Sequence, residues 1–384
     1  MTASDVRIVP VTSAKQRRAF TKFPWRLYRD DPYWVPPLYG DRLKMLDPGQ
    51  HPFHEHAELQ LFLALRGEKV VGTISAHINH RHNEIWQDKV GFFGFFEVIE
   101  DYAVAEALLA TAADWLRERG MEAIRGPESF SQNEECGLLV DGFDGAPVIL
   151  MTYNPRYYQE FIERAGFGKA QDLYAWYLRT SIFDYDVQRL PRKFVHVAER
   201  ARERANLVVR NVDMKRFDEE VPLVKEVYNR SWEQNWGFVS LTDHELEHMA
   251  AEMKPIIDAQ LIHIAEVDGK PVGMSLGLPD VYQAMLKAKP QPNKWSLPWT
   301  LVKLLWHARK IDTIRLWAMG VVPEWRGCGI DAVLIVEAAR AAFAAGYEYA
   351  EMSWILESND MVNRIIERLG GEVYRTYRIY EKPV

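Results

Sequence analysis

Residues 313–346 decide the fold, and they read TIRLWAMGVVPEWRGCGIDAVLIVEAARAAFAAG. The segment Ile314 to Val322 predicts a strand, and Pro323 to Gly329 predicts a tight loop. The apolar residues from Ile330 onward recur at helical spacing. The predicted order is therefore a strand, a glycine-containing loop and a helix.

This order favours an anion-binding site. The first N–H groups of a helix have no partner within the helix, and the helix dipole is positive at that end. Gly327 and Gly329 allow the backbone to approach a phosphate or pyrophosphate closely, and Arg326 adds a planar donor that is always charged. The alternative is an ordinary connection between a strand and a helix.

The segment RGCGID, Arg326 to Asp331, resembles the signature of the Gcn5-related N-acetyltransferase (GNAT) superfamily, Arg/Gln-x-x-Gly-x-Gly/Ala after a strand. The resemblance implies that the loop holds the pyrophosphate of acetyl-coenzyme A or another acyl-coenzyme A. Asp331 departs from the small final residue, although a carboxylate suits the start of a helix. The coenzyme-binding residues that the resemblance implies are Met319, Val321, Val322, Arg326, Gly327, Cys328, Gly329, Ile330 and Asn359.

The composition is that of an ordinary globular protein, with 48% hydrophobic and 26% charged residues among 384. A net charge of −7 argues against general nucleic-acid binding. Cys136 and Cys328 alone support neither a disulfide framework nor a cysteine zinc site. The N-terminus lacks the apolar core of a secretory signal and no run of about 18 apolar residues occurs, so we expect a cytoplasmic protein without stable membrane insertion.

The second half of the chain repeats the first at an offset of about 200 residues. VVGTISA, with Gly72, corresponds to PVGMSLG, with Gly273; YYQEFIERAGF, with Gly166, corresponds to VNRIIERLGG, with Gly370. We therefore predict an α/β (α+β) fold of two tandem GNAT-like domains, each a mixed, mostly antiparallel sheet flanked by helices. The predicted boundaries are a domain at 1–180, a linker helix within 181–205, running from Pro191 to Ala205, and a coenzyme-binding domain at 206–384.

The first half carries no Arg-Gly-x-Gly loop. Its predicted strand Val90 to Val98 leads almost directly into a helix at Tyr102, and Glu97, Glu100 and Asp101 put negative charge where a pyrophosphate would lie. We expect this half to be a degenerate partner that does not bind coenzyme A and that buries an interface, shapes the substrate cleft, or does both.

In the superfamily that the sequence resembles, the acyl group passes directly to an amine. The resemblance implies that backbone N–H groups of Met319 to Val322 polarise the thioester carbonyl. A general base is needed because an ammonium must lose its proton before it attacks. Glu351, on the predicted strand Tyr349 to Ile355, is our candidate, with Glu357 and Glu233 as competitors. The alternative for each is a solvated or salt-bridged carboxylate.

A general acid for the departing thiolate is harder to place. Many superfamily members carry a tyrosine seven residues after a coenzyme-contacting asparagine; Asn359 fits the asparagine, but the tyrosine position is Ile366. Tyr374, Tyr377 or Tyr380 would have to replace it, and we select Tyr380. Otherwise water protonates the thiolate, or the protein is not a catalyst; such alternating aromatic residues usually pack within a strand.

Other side chains are weaker candidates. Cys328 lies near a helix N-terminus, but no adjacent histidine supports catalysis. Six of the 11 histidines fall between His51 and His82 without a carboxylate or cysteine at a diagnostic spacing, so we predict a hydrogen-bonding or pH-sensitive wall and no metal. The candidate substrate-binding residues are Trp232, Glu233, Asn235 and Trp236, which could equally pack a helix against the sheet.

An insertion, AKPQPNKWSLPWTLVKLLWHARK, precedes the second half's loop strand. It contains a short amphipathic helix with Trp299, Lys303, Trp306, Arg309 and Lys310. Such a helix could touch a membrane surface or an acyl chain, dock on its own protein, or close a homodimer.

These observations predict an acyl-coenzyme A-dependent N-acyltransferase, an N-acetyltransferase in the first instance, that acts on a primary amine of a small molecule. One alternative is a transferase of longer acyl or aminoacyl groups. Another is a catalytically silent acyl-coenzyme A-binding or interaction module, which Ile366 and Asp331 favour. Fold resemblance alone does not identify the acceptor.

Overall fold

The computed structural model describes residues 6–204 and 206–384. The strands are β1 (Val6–Pro10), β2 (Ala57–Arg66), β3 (Lys69–Asn79), β4 (Val90–Val98), β5 (Ala123–Gly126), β6 (Glu128–Ser129), β7 (Glu135–Cys136), β8 (Leu138–Asp141), β9 (Gly168–Arg179), β10 (Leu207–Asn211), β11 (Ile262–Val267), β12 (Lys270–Pro279), β13 (Thr313–Val321), β14 (Tyr349–Leu356) and β15 (Glu372–Pro383). The helices are α1 (Ala14–Leu27), α2 (Tyr39–Met45), α3 (His80–Trp86), α4 (Tyr102–Arg117), α5 (Tyr157–Arg164), α6 (Arg192–Arg204), α7 (Phe217–Trp232), α8 (Asp243–Met253), α9 (Val281–Ala288), α10 (Leu297–Ala308), α11 (Ile330–Ala344) and α12 (Asp360–Arg368).

The chain divides into two compact units. Unit 1 contains the residues up to Leu173 together with Tyr282–Arg309 and Arg375–Val384, and unit 2 contains Tyr174–Val281 and Lys310–Tyr374. The predicted linker helix forms as α6 and belongs to unit 2, while Ala205, its expected end, lies outside the described residues. Strands and helices are mixed in both units, which confirms the predicted α/β class.

In unit 1 the strand order is β1-β2-β3-β4-β5-β15. β4 and β5 run parallel and the other neighbours that pair in this order are antiparallel. The amphipathic helix α4 packs its apolar side into the core of this unit, with Leu108, Leu109 and Ala112 fully buried.

In unit 2 the strand order is β14-β13-β12-β11-β10, and only β13 and β14 are parallel among these pairs. The core of this unit joins Ile330 and Leu334 of α11 to Met274 of β12. The predicted strand, loop and helix at 313–346 are confirmed as β13, a short turn and α11.

The repeated glycines have a common packing role. Gly72 pairs with Val98 in unit 1, and Gly273 pairs with Val321 in unit 2. A Cβ atom on Gly72 would lie 2.7 Å from a methyl group of Leu108 in α4, and one on Gly273 would lie 3.2 Å from side chains of α11. The sequence repeat therefore marks equivalent positions where a helix approaches the sheet.

The two parallel strands of each unit separate after a short paired stretch. β13 pairs with β14 only from Thr313 to Leu316, and β4 pairs with β5 only from Val90 to Phe92. Beyond Leu316 a gap opens beside the carboxyl end of β13, whereas Gly94 and Phe95 of β4 stay close to Glu128 and Ser129. Open sheets of α/β proteins commonly bind ligands at such separations.

Candidate functional site

The loop between β13 and α11 has the backbone expected of an anion cradle. Pro323–Trp325 form one helical turn, and Gly327 and Gly329 adopt left-handed conformations with φ of 74° and 86°. Gly329 precedes the first residue of α11 and supplies no capping side chain. The N-terminal N–H groups of α11 are therefore not capped by a serine, threonine or asparagine and are available to an anion.

Arg326 fixes this loop to helix α7. Its guanidinium donates hydrogen bonds to the carbonyl oxygens of Ser231 at 2.8 Å and Val321 at 3.3 Å. Arg230 donates to both carboxylate oxygens of Glu324 in the same loop. The exposed Arg326 thus holds the cradle in shape while it keeps positive charge at the mouth.

Helix α6 flanks the cradle. A Cβ atom on Gly329 would lie 2.9 Å from a methyl group of Val197 and 3.1 Å from the Cβ of Ala201. Lys193 and Arg200 are exposed and lie one turn before and one turn after Val197, on the same side of the helix. They add positive charge beside the loop.

The end of β13 points backbone donors into the gap beside it. The N–H of Val322 donates to the carbonyl of Val272 in β12 at 2.9 Å. Because successive N–H groups of a strand point to opposite sides, those of Met319 and Val321 point away from β12, where β14 has separated. Of the four predicted backbone donors at 319–322, the N–H groups of Met319 and Val321 therefore face the gap.

The predicted substrate residues lie at the end of α7 and in the turn that follows it. Trp232 packs against Tyr228 with ring centroids 4.8 Å apart, and the N–H of Asn235 donates to the carbonyl of Trp232. Glu233 is exposed and Trp236 half-buried. A Cβ atom on Gly320 would lie 2.8 Å from the Trp232 ring, so the structure brings this turn against β13.

Glu351, the predicted base, is fully buried in unit 2. Its carboxylate accepts hydrogen bonds from Ser353 at 2.9 Å and Tyr374 at 3.2 Å and lies 3.7 Å from the Arg315 guanidinium. Loss of one partner from such a buried pair is destabilising, and a base role for Glu351 stays a prediction.

The remaining predicted residues have structural partners. Asn359 caps α12 by accepting a hydrogen bond from the N–H of Val362, and Ile366 lies in a buried apolar cluster. Tyr380 belongs to unit 1, where its ring is part of the core and its hydroxyl donates to Glu163 at 2.9 Å. A catalytic role for Tyr380 stays a prediction, as does coenzyme contact by Ile330, whose side chain is buried, and by Cys328, which is exposed.

Unit 1 contains a cavity of about 150 Å³ beside the end of β4. Residues from α1, the segment after it, β4 and α5 line the cavity, as does Tyr282 from the insertion. The most prominent lining side chains are Trp25, Trp34, Phe96, Glu97, Tyr153 and Tyr158. The walls are thus largely aromatic, with two carboxylates among them, Glu97 and Glu135, of which Glu135 is paired with Arg42.

Glu97 is the chemically distinctive group of this cavity. Tyr28 and Tyr158 donate hydrogen bonds to its Oε2 at 2.7 and 2.8 Å, whereas the described residues donate none to its Oε1. Burial raises the pKa of Glu97 to about 7, although the two tyrosine hydrogen bonds lower it. A carboxylate with a pKa near neutrality and one open oxygen can take up a proton from a bound ligand.

The anion position of unit 1 is occupied by the protein itself. Only residues 99–101 separate β4 from α4. Asp101 accepts a hydrogen bond from the N–H of Ala103 at 3.1 Å and another from Arg66 at 2.7 Å, which lowers its pKa. An internal carboxylate thus meets the positive end of α4.

The histidine-rich stretch packs within unit 1. His51 lies 3.1 Å from Glu134, and the Nε2 of His77 lies 2.9 Å from the carbonyl oxygen of Phe130. Burial lowers the pKa of His77 to about 4. Across residues 6–204 and 206–384, no three metal-ligating side chains cluster together.

The sequence predicts Glu97 to be a repulsive charge and does not reveal the cavity around it. No sequence pattern distinguishes Tyr28 or Tyr158 from other tyrosines. One signal was present: Glu97 is the single charged residue of the otherwise apolar segment VGFFGFFEV. A lone carboxylate in a buried strand needs partners or a function.

Comparison with known proteins decides the family. The profile of the Acetyltransferase (GNAT) family matches residues 21–134. The chain is similar to the bacterial ceramide synthase of Caulobacter vibrioides, with 36% identity over 393 residues that cover 99% of this chain and 98% of that protein. The chain belongs to the GNAT acetyltransferase family. It is an acyltransferase, as the sequence predicts.

Further similarities agree. Protein YghO of Escherichia coli is 35% identical over 373 residues, covering 96% of this chain and 93% of that protein. A tandem GNAT protein of the clavulanic acid biosynthesis pathway shares the fold with a TM-score of 0.54 and 12% identity, and 98% of each chain is covered. This likeness confirms the predicted tandem architecture. None of the helices in the described parts of the chain has the length and apolar character to cross a membrane.

Proposed function

We propose that the protein transfers an acyl group from an acyl-coenzyme A to a primary amine, and that residues 206–384 bind the coenzyme. One observation carries the proposal: the loop at 322–329 joins a diverging strand to an uncapped helix through two left-handed glycines. The helix N-terminus and Arg326 would hold the pyrophosphate. Lys193 and Arg200 would add attraction for a further phosphate.

The gap beside β13 supports the same assignment. The N–H groups of Met319 and Val321 would donate to the amide groups of the pantetheine arm and to the thioester carbonyl. Donors held rigidly by a sheet need no reorganisation as negative charge develops on that oxygen. Asp331, the residue that departs from the family signature, is exposed, so its carboxylate can face solvent.

The acceptor is proposed to be a long-chain primary amine. The relative with 36% identity along almost the whole chain is named a ceramide synthase, and a ceramide is the fatty amide of a long-chain amino alcohol. An acyl donor longer than acetyl is proposed for the same reason. The aromatic cavity of unit 1 is suited to such an acceptor, because its walls favour apolar groups and Glu97 attracts an ammonium.

Glu97 is proposed as the general base. The Oε1 atom of Glu97 would take one proton of the ammonium, and the neutral nitrogen would form a bond to the thioester carbon. The carbon–sulfur bond would then break, and a second proton would pass from the nitrogen to the departing thiolate, which leaves the neutral amide and the free thiol of coenzyme A. Tyr28 and Tyr158 would hold the carboxylate in place through Oε2. Glu351 is the competing base from the sequence, and its burial beside Arg315 favours Glu97 instead.

A second arrangement is favoured by the family profile, which matches residues 21–134 in the first half. In that arrangement unit 1 would bind the coenzyme as well as the acceptor. The absence of a glycine loop between β4 and α4 and the Asp101 cap disfavour this arrangement.

Thiol release from acetyl-, dodecanoyl- and palmitoyl-coenzyme A, measured with sphinganine, hexadecylamine and spermidine, tests the proposal. We expect release that depends on a long-chain amine and is fastest with a long-chain donor. Release with spermidine but not with the long-chain amines would contradict the acceptor assignment. Absence of release from every pair would contradict the proposed reaction.

A further inference from the structure

Helix α10 exposes an apolar face that no other part of the described chain covers. The exposed fractions of Trp299, Val302, Leu305 and Trp306 are 73%, 59%, 73% and 69%. Trp295, just before the helix, is 92% exposed. Residues at these spacings lie on one side of a helix, so the apolar side chains form one continuous surface.

The opposite side of α10 is the more polar one. Thr300 is buried, and Leu304 and His307, four and seven residues later, are partly buried. These three positions lie on one side of the helix and face the protein. The exposed side of α10 is therefore its apolar side, whereas an ordinary surface helix has its apolar side against the core.

The insertion that carries α10 is basic. Residues 282–309 include Lys287, Lys289, Lys294, Lys303 and Arg309 and no aspartate or glutamate, although the whole chain has a net charge of −7. Lys294 and Lys303, beside the tryptophans, are exposed. An apolar face with tryptophans and flanking lysines matches an interface between hydrocarbon and anionic headgroups.

We propose that α10 lies on an anionic phospholipid surface, with its tryptophans at the level of the headgroups. The 12 residues of the helix rise only about 18 Å, against about 30 Å for the hydrocarbon core of a bilayer, so the helix lies in the interface plane. A second copy of the chain fits this face less well. A symmetric contact would bring two insertions of like charge together, and anionic lipids neutralise that charge.

The insertion also links this surface to the cavity of unit 1. Tyr282 lines the cavity, and the carbonyl oxygen of Pro290 accepts a hydrogen bond from the Trp25 indole at 2.8 Å. The same segment thus forms a cavity wall and the lipid-facing helix. Lipid binding by α10 does not depend on the proposed transfer reaction, so the two can fail separately.

Co-sedimentation of the full-length protein with vesicles tests the proposal. The two vesicle types are phosphatidylcholine alone and phosphatidylcholine mixed with an equal amount of phosphatidylglycerol. We expect binding to the mixed vesicles that weakens as salt is added. The double variant Trp299→Ser/Trp306→Ser should bind at least about tenfold more weakly, because two large apolar side chains no longer enter the interface. Lys294→Glu/Lys303→Glu should bind more weakly only where phosphatidylglycerol is present.

Met361→Ser is the matched control, since Met361 on α12 is a 69% exposed apolar residue outside the insertion. It should bind as the wild type does. No binding of the wild type to the mixed vesicles, or equal binding by the tryptophan variant, would overturn the proposal. Sedimentation equilibrium tests the alternative of a second copy. If the wild type is a dimer that does not bind vesicles, and the tryptophan variant is a monomer, the apolar face would be a dimer interface instead.

Discussion

The two units share a framework of strands and helices but differ in the connection from one strand to the next helix. In unit 1 the connection from β4 to α4 is residues 99–101, and Asp101 caps the helix. In unit 2 the matching connection, residues 322–329, runs from β13 to α11 and ends in a left-handed glycine. One helix N-terminus therefore meets an internal carboxylate, and the other stays open to an external anion.

The strands before those connections also differ, because β4 carries a carboxylate where β13 has a glycine. Glu97 pairs with Thr73, and the matching residue of β13, Gly320, pairs with Met274. Glu97 faces a cavity, whereas the absence of a side chain at Gly320 lets Ser231 and Trp232 approach the strand. Under the proposed function, the repeated fold would divide its chemistry, with an acid–base cavity in one copy and an anion cradle in the other.

Replacing Glu97 should have the largest effect on the reaction. Glu97→Gln keeps the size of the side chain but cannot accept a proton, so the transfer rate should fall about 100-fold or more. The coenzyme affinity should be unchanged. In the wild type, kcat/KM should rise with pH through about 7, as Glu97 loses its proton, and this rise should be absent from the variant. Steady-state kinetics between pH 5 and pH 9 measures both effects, and an unchanged rate would exclude Glu97 as the base.

Glu351→Gln should act on stability instead. Removing this charge takes an anionic partner from the buried Arg315 guanidinium and should lower the free energy of unfolding by about 3–5 kcal/mol. Urea denaturation measures the loss. If the Glu351→Gln variant is stable and its transfer rate falls as far as that of Glu97→Gln, Glu351 of unit 2 would be the base instead of Glu97.

The sequence predicted the framework well because the framework depends on local signals. The glycine loop, the periodic helix at Ile330 and the paired glycines of the repeat are visible as patterns. The structure gives each a physical reason, such as the close approach of Leu108 to Gly72.

The cavity of unit 1 was not predictable in this way. Tyr28, Glu97 and Tyr158 are separated by many residues, and only the folded sheet brings their polar atoms within hydrogen-bond distance. Likewise, sequence position gave no sign that Tyr380 would lie in unit 1 and Glu351 would be buried beside Arg315. Contacts of this kind depend on tertiary packing rather than on local pattern.

The free energy of unfolding should also depend on pH through Glu97 of unit 1. Because folding raises the pKa of Glu97 to about 7, the folded state keeps a proton that the unfolded chain loses near pH 4.5. The wild type should therefore lose stability relative to Glu97→Gln as the pH rises from about 4.5 to 7, by about 1–3 kcal/mol, with no further change above that range. Urea midpoints at pH 4.5 and pH 8 test this, and a constant difference would refute the raised pKa.

Arg326→Ala should have the smallest of these effects. The variant loses a positive charge at the cradle and two hydrogen bonds that fix the loop, so coenzyme A should bind about tenfold more weakly. Arg230→Ala is the control, because that arginine is already paired with Glu324. Equal losses in the two variants would indicate a general effect of charge rather than a contact made by Arg326.

The most direct test of the account is calorimetric titration of coenzyme A into Gly327→Asp and Gly327→Asn. No heavy atom lies within 4 Å of a Cβ built at Gly327, and both side chains tolerate its left-handed backbone, so the variants differ chiefly in one negative charge. If the loop of unit 2 holds the pyrophosphate, Gly327→Asp should bind at least about tenfold more weakly than Gly327→Asn, with a smaller difference in high salt. Equal affinities would place the coenzyme elsewhere and contradict the division of chemistry between the two units.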